Sequence, residues 1–225
     1  MKRTHIFDRS RYLADAYYSL EESLEVIDEL IRFQYEDDEE RIYNFLTTLV
    51  DILDKRRPKL NTMVIESPPS AGKNYFFDMI FNICINVGYL QTANKNNHFA
   101  FMDAFNKRVI VWNEVNYEPS QTDMCKQLTG GDTCTVAYKN KPDVLITRTP
   151  LFCMCNQQCP FQYEDAFAQR VVQTQWKYAG FLKDKDKYPY PLAFFSLLDK
   201  YNIDYGKLPD WETGFPVIDK EQNIV

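Results

Sequence analysis

Thr62-Met-Val-Ile65, followed by Ser67-Pro-Pro-Ser-Ala-Gly72-Lys73-Asn74, decides how this chain is read. The first run carries no charge and suits a short buried strand. The Pro- and Ser-rich stretch makes a turn, and Lys73 to Val87 then reads as a helix. A phosphate-binding loop needs backbone N–H groups aimed inward, a helix N-terminus behind them, and an amine to reach the β- and γ-phosphates. The general pattern is G-x-x-x-x-G-K-[ST], and here Ser67 replaces the first glycine and Asn74 the closing hydroxyl residue. Alone, the stretch reads equally as a Pro-rich turn capping an ordinary helix.

Two further strand ends add to it. Val109-Ile-Val-Trp112 is an apolar run that closes in Asn113 and Glu114, where a carboxylate would orient water or hold a metal near a γ-phosphate. Pro150-Leu-Phe-Cys-Met-Cys155 is another buried run, and it closes in Asn156. Between and after these lie a helix from Gln121 to Leu128, a turn at Gly130-Gly131, a β-like Cys134 to Tyr138, a strand from Arg170 to Trp176 and a helix from Leu192 to Tyr201. Strands alternating with helices predict an α/β sheet covered on both faces.

Upstream, Leu13, Ala16, Tyr17, Leu20, Leu24, Ile27 and Ile31 recur at helical spacing, and Ile42, Phe45, Leu46, Leu49, Val50 and Leu53 draw a second stripe. The acidic run Glu36 to Glu40 marks the join. This front segment is either a helical hairpin packed on the body or a bundle for subunit contact. It carries six basic and fourteen acidic residues up to position 54, whereas the remainder has a surplus of two positive charges. With a net charge of −6, any nucleic-acid contact must therefore use local lysines. Lys55-Arg56-Arg57-Pro58-Lys59 is either a nuclear-import signal or a basic helix end with its linker.

The chain has 225 residues, 45% of them apolar and 15% aromatic, which excludes a disordered or fibrous protein. No window reaches 18 uncharged apolar residues, so no membrane span or membrane partner is expected. Met1 to Leu13 lacks the apolar core of a secretory signal. Six cysteines are too few for a disulfide scaffold at this length, and Cys153-Met-Cys155-Asn-Gln-Gln-Cys159 lacks an obvious fourth metal ligand. They read as reduced, packed thiols.

The ordered set of motifs resembles the superfamily 3 helicase domain of the large non-structural replication initiator of parvoviruses, in its densovirus form. Ser67 to Asn74 matches the Walker A loop, Val109 to Glu114 the Walker B strand, and Pro150 to Asn156 the sensor strand. Leu128-Thr-Gly-Gly131 with Lys139-Asn-Lys141 resembles the motif bearing the DNA-binding hairpin, and Phe167-Ala-Gln-Arg170 the arginine-finger segment. Asn97 to Asp103 fits the stretch before Walker B. Together these cover roughly residues 60–178.

The resemblance implies an AAA+-like P-loop fold: a helical oligomerisation segment over 1–57, an ATPase core over 58–180 and a C-terminal extension over 181–225. It implies ATP and Mg²⁺ as cofactors, bound by Pro68, Pro69, Ser70, Ala71, Gly72, Lys73 and Asn74. Lys73 would hold the phosphates, Glu114 polarise water, Asn156 sense the γ-phosphate, and Asn74 and Glu114 face the metal. Arg170 would act on a neighbouring subunit of a homo-oligomeric ring, a hexamer in the family. Lys139 and Lys141, alternating on one side of a hairpin, would touch single-stranded DNA. A host-nuclear location and membership of a longer protein with an origin-nicking domain are also implied. Asn74 departs from the family by an amide in place of a hydroxyl, and Asn113 by replacing one of two acidic residues, which leaves both metal-facing positions neutral. They keep open a nucleotide-bound assembly module that does not translocate. A small-molecule kinase and an RNA-virus helicase of the same superfamily also remain as readings.

Overall fold

The structure, a computed structural model, describes residues 13–206. In chain order, helices α1 (Leu13–Ala16), α2 (Leu20–Gln34) and α3 (Glu39–Leu53) precede strand β1 (Thr62–Glu66). Helix α4 (Lys73–Cys84), strands β2 (Val87–Leu90) and β3 (Val109–Asn113) and helix α5 (Thr122–Gly130) follow. The chain continues through β4 (Cys134–Val136), β5 (Val144–Ile146), β6 (Leu151–Cys155), β7 (Val171–Gln175) and α6 (Ala193–Lys200). Five strands form a parallel sheet in the order β2-β3-β6-β1-β7, while β4 and β5 pair separately as an antiparallel hairpin.

Strand alternation divides the core. Met63, Ile65, Val109, Val111, Phe152 and Met154 face a layer built with α2, α3, α4 and α6. Val64, Ile110, Trp112, Leu151, Cys153 and Cys155 face the other layer, filled by α5, the β4–β5 hairpin and the short turns around Phe101, Phe161 and Phe167. Successive side chains point to opposite faces, so a strand buried on both reads as a continuous apolar run. In the first layer Phe45, Phe76, Phe77 and Trp176 meet edge-on or tilted, with ring centroids 5.2–6.5 Å apart. Ile27, Leu30, Ile31, Ile42, Leu46 and Leu49 are wholly buried in this layer, so the packing has no seam at residue 57.

Three expectations need correction. The first stripe is not one helix, because Ser19 starts a new one: its hydroxyl accepts from Glu22 N (3.2 Å) and Glu22 accepts from Ser19 N (2.9 Å). This Ser-x-x-Glu box outweighs the apolar spacing across Tyr17. Helix α4 stops at Cys84, where Ile85 takes φ +62°, and Val87 belongs to edge strand β2. A Cβ on Gly88 would lie 2.0 Å from the Asp103 carbonyl oxygen, so only glycine admits that neighbour. Lastly, β4 ends at Val136, and Lys139 and Lys141 occupy the turn before β5 rather than alternating along a strand.

The six cysteines are buried and free. Burial pushes the Cys153 thiol up and the Cys125 thiol up to about 12, so both stay protonated. Among the described residues no helix is long and apolar enough to cross a membrane.

Asp28 joins α2 to α6. Its carboxylate accepts from Arg32 Nε (3.1 Å), Lys200 Nζ (2.8 Å) and the Tyr201 hydroxyl (2.8 Å). Breaking a buried pair costs roughly 3–5 kcal/mol, but Arg32 and Lys200 are partly hydrated. Asp28→Ala is therefore expected to lose about 2 kcal/mol, read as a lower urea midpoint.

Candidate nucleotide-binding site

Register places the site. Glu66 of β1 lies opposite Cys155 of β6, so the segments after these two strands leave the sheet side by side at its C-terminal edge. Ser67 N donates to Cys155 O at 3.0 Å, fixing the start of the loop. Ser70 and Gly72 take left-handed backbone, with φ +61° and +88°, and turn the chain into α4, whose first residue is Lys73.

Lys73 is the centre of the site. Its residue is only 9% exposed, and its ammonium donates to Cys155 O (2.7 Å), Asn156 Oδ1 (2.9 Å) and Ser67 O (3.4 Å). Burial lowers its pKa from the ordinary lysine value, opposed by the nearby charge of Glu114 and, more weakly, by Cys155 and Glu66. All of its direct partners are neutral oxygens, which leaves the cation suited to an incoming anion.

Glu114 completes the arrangement. It follows β3 with φ +52°, a backbone conformation that is strained for a residue with a side chain. Both carboxylate oxygens lie close to Asn156 N, at 3.1 and 3.2 Å. Asn156 thus takes Lys73 on its side chain and Glu114 on its backbone. A cavity of about 500 Å³ opens over these groups, lined by the whole loop from Pro68 to Asn74 and by Asn113, Glu114 and Asn156. Asn74 and Glu114 supply oxygen donors to one space, a set that suits a hard divalent cation retaining several waters.

Arg170 stands elsewhere. It precedes β7, away from the cavity lining, and donates from its guanidinium to Ala166 O while its buried Nε has no hydrogen-bond partner among the described residues. Lys139 and Lys141 are exposed at the hairpin turn, where Lys141 Nζ lies 5.1 Å from the centre of the Tyr138 ring. Tyr138 in turn meets Phe105 edge-on at 5.8 Å. The chain therefore gathers Lys73, Glu114 and Asn156, and leaves Arg170, Lys139 and Lys141 outside that group.

A strand, a left-handed loop and a helix beginning at a buried lysine, beside polar ends of neighbouring parallel strands, define an AAA+-like P-loop α/β protein. The model of the Parvovirus non-structural protein NS1 family matches residues 43–168, and the chain belongs to that family. Initiator protein NS1 of Junonia coenia densovirus is 53% identical over 189 residues, covering 84% of this chain and 35% of that protein. The Bombyx mori densovirus counterpart is 34% identical over 203 residues, covering 87% of this chain and 23% of its own length. The chain thus spans about a third or less of these densovirus relatives. Among solved structures, a JCV helicase aligns with a TM-score of 0.53 at 12% identity, over 70% of this chain and 49% of that one. The C-terminal region (305–718) of NrS-1 aligns with a TM-score of 0.55 at 17% identity, over 84% and 47%. These two share the fold.

Two residues at the site have no signal in the motifs. Glu66, 7% exposed, accepts from Cys159 N and holds the loop after Asn156; an acid closing β1 just before the loop was its only trace. Gln34, 1% exposed at the end of α2, donates to Ala71 O (3.0 Å) and Lys177 O (2.8 Å) and accepts from Lys177 N (2.6 Å). In sequence it is one polar position among several on an amphipathic helix. Gln34→Ala strands one buried and two part-buried backbone groups and is expected to destabilise by about 2 kcal/mol. Gln34→Glu turns an acceptor toward both carbonyls. Its deficit in thermal midpoint should shrink as pH falls and the carboxyl regains a proton to donate.

Proposed function

We propose that the chain is an ATP-hydrolysing DNA helicase domain that works as a ring in viral genome replication. The observation carrying this reading is the cluster of Lys73, Asn156 and Glu114 in one cavity with the whole phosphate loop. Lys73 exchanges its carbonyl partners for β- and γ-phosphate oxygens, and the helix N-terminus adds its dipole. Asn156 offers its amide to the γ-phosphate. Glu114, released from Asn156 N, orients the attacking water and takes up its proton. Mg²⁺, facing Asn74 and Glu114, would supply charge neutralisation between the phosphates.

Arg170 lies outside its own subunit's cavity, as a residue acting on a neighbour's nucleotide must. A ring would also multiply the two exposed lysines per hairpin into a continuous path for the phosphates of single-stranded DNA. If residues 1–57 build such a hexameric ring, helices α2 and α3 contribute through faces left open by the core, because their main apolar stripes are spent within the chain. The exposed run Lys55 to Lys59 supports delivery to the host nucleus. A nucleotide-bound assembly module is the second reading. It is favoured by the neutral Asn74 and Asn113 and by the engagement of both Glu114 oxygens at Asn156 N.

ATP turnover with and without single-stranded DNA separates the two. Lys73→Ala is expected to lower turnover at least about a hundredfold, and Lys139→Ala to keep basal turnover but lose stimulation by DNA. Mixing Lys73→Ala with Arg170→Ala subunits should restore partial turnover, since some interfaces regain both groups. A wild type that binds ATP yet stays silent with Mg²⁺ and DNA supports the assembly module instead. Stimulation by RNA but not DNA would change the nucleic-acid partner.

A further inference from the structure

The segment after β7 does not simply leave the domain. It crosses the phosphate loop, with Ala179 N donating to Ser70 O at 3.1 Å and Gln34 holding Lys177 on both backbone groups. A Cβ on Gly72 would lie 2.7 Å from Leu182 Cδ1 and 3.0 Å from Leu30 Cδ2, so the bare, left-handed glycine lets Leu182 close directly on the loop. Further along, Lys185 pairs with Glu29 (3.1 Å), the Tyr75 hydroxyl donates to Lys187 O (2.9 Å), and Tyr188 N donates to Ala16 O (3.0 Å). The crossing is fastened at both ends.

Ala179, Leu182 and Lys183 line the same cavity as Lys73 and Glu114. The cavity is therefore two-sided in chemistry. Lys73, Asn156 and Glu114 gather the groups suited to phosphate and water, while the crossing offers two apolar side chains and one ammonium. Lys183 is exposed, and its Nζ rests 5.6 Å from the centre of the Tyr178 ring, which steadies an otherwise free side chain. Apolar walls with a single oriented donor are the usual make-up of a site for a flat heterocycle.

We propose that the crossing segment is the nucleoside end of the site. Ala179 and Leu182 cover the base, and Lys183, a donor only, bonds an acceptor atom on its edge. This rests on the nucleotide reading above and extends it to residues that no loop motif includes.

Calorimetric titration of the full chain with ATP and, separately, with inorganic tripolyphosphate tests it, because the second ligand has the phosphates but no base. Lys183→Ala is expected to weaken ATP about tenfold while leaving tripolyphosphate within about twofold. An unchanged thermal midpoint in the variant checks that the fold is intact, as the side chain is exposed. Equal weakening of both ligands would make Lys183 a phosphate contact and overturn the assignment, and so would unchanged affinity for ATP. Failure of the wild type to bind either ligand would instead sink the nucleotide site itself, and this inference with it.

Discussion

One buried ammonium holds the centre of this domain together. Lys73 belongs to α4, yet its three partners belong to the end of β6, to the residue after it and to the residue after β1. Desolvating a lysine is costly, and three oxygens converging on Nζ offset that cost only if the two strands and the helix keep their relative positions. The same geometry keeps the cation free of any carboxylate. Structural and chemical demands meet in a single side chain, and neither can be relaxed alone.

Much of this was legible from residue types. Apolar runs ending in Glu114 and Asn156 gave β3 and β6 because a parallel strand buried on both faces shows no alternation to confuse the reading. The loop was legible in spite of two departures, since small residues before Gly72-Lys73 serve the same backbone geometry. Strand β2 was hidden because its four residues continue the apolar texture of α4, and the left-handed turn at Ile85 that separates them carries no glycine to mark it. The break at Ser19 was hidden for a related reason: spacing spoke for one helix and a local cap for two. Gln34 and Glu66 were beyond reach, as their importance lies in partners distant in sequence.

The two faces of the sheet are not equivalent. One is packed by long helices and a cluster of aromatic rings, and the other by one helix, a hairpin and short turns. The groups placed outside the cavity, namely Arg170 and the two hairpin lysines, all belong to the second, more irregular side or its margin. The helical face carries rigidity, while the irregular one leaves room for surface loops to take on chemistry.

The strand order has a consequence for how the chain acquires its shape. β1 is the first strand made and ends inside the sheet, between central β6 and edge strand β7, both from much later in the chain. Gln34 likewise waits for Lys177, 143 residues downstream, before its hydrogen bonds can form. Closing such long loops slows folding and delays the central pairing until synthesis is well advanced. The phosphate loop is therefore among the earliest parts of the sheet to be translated and among the last to be assembled, and an emerging chain must keep the apolar run at Met63–Ile65 from straying meanwhile.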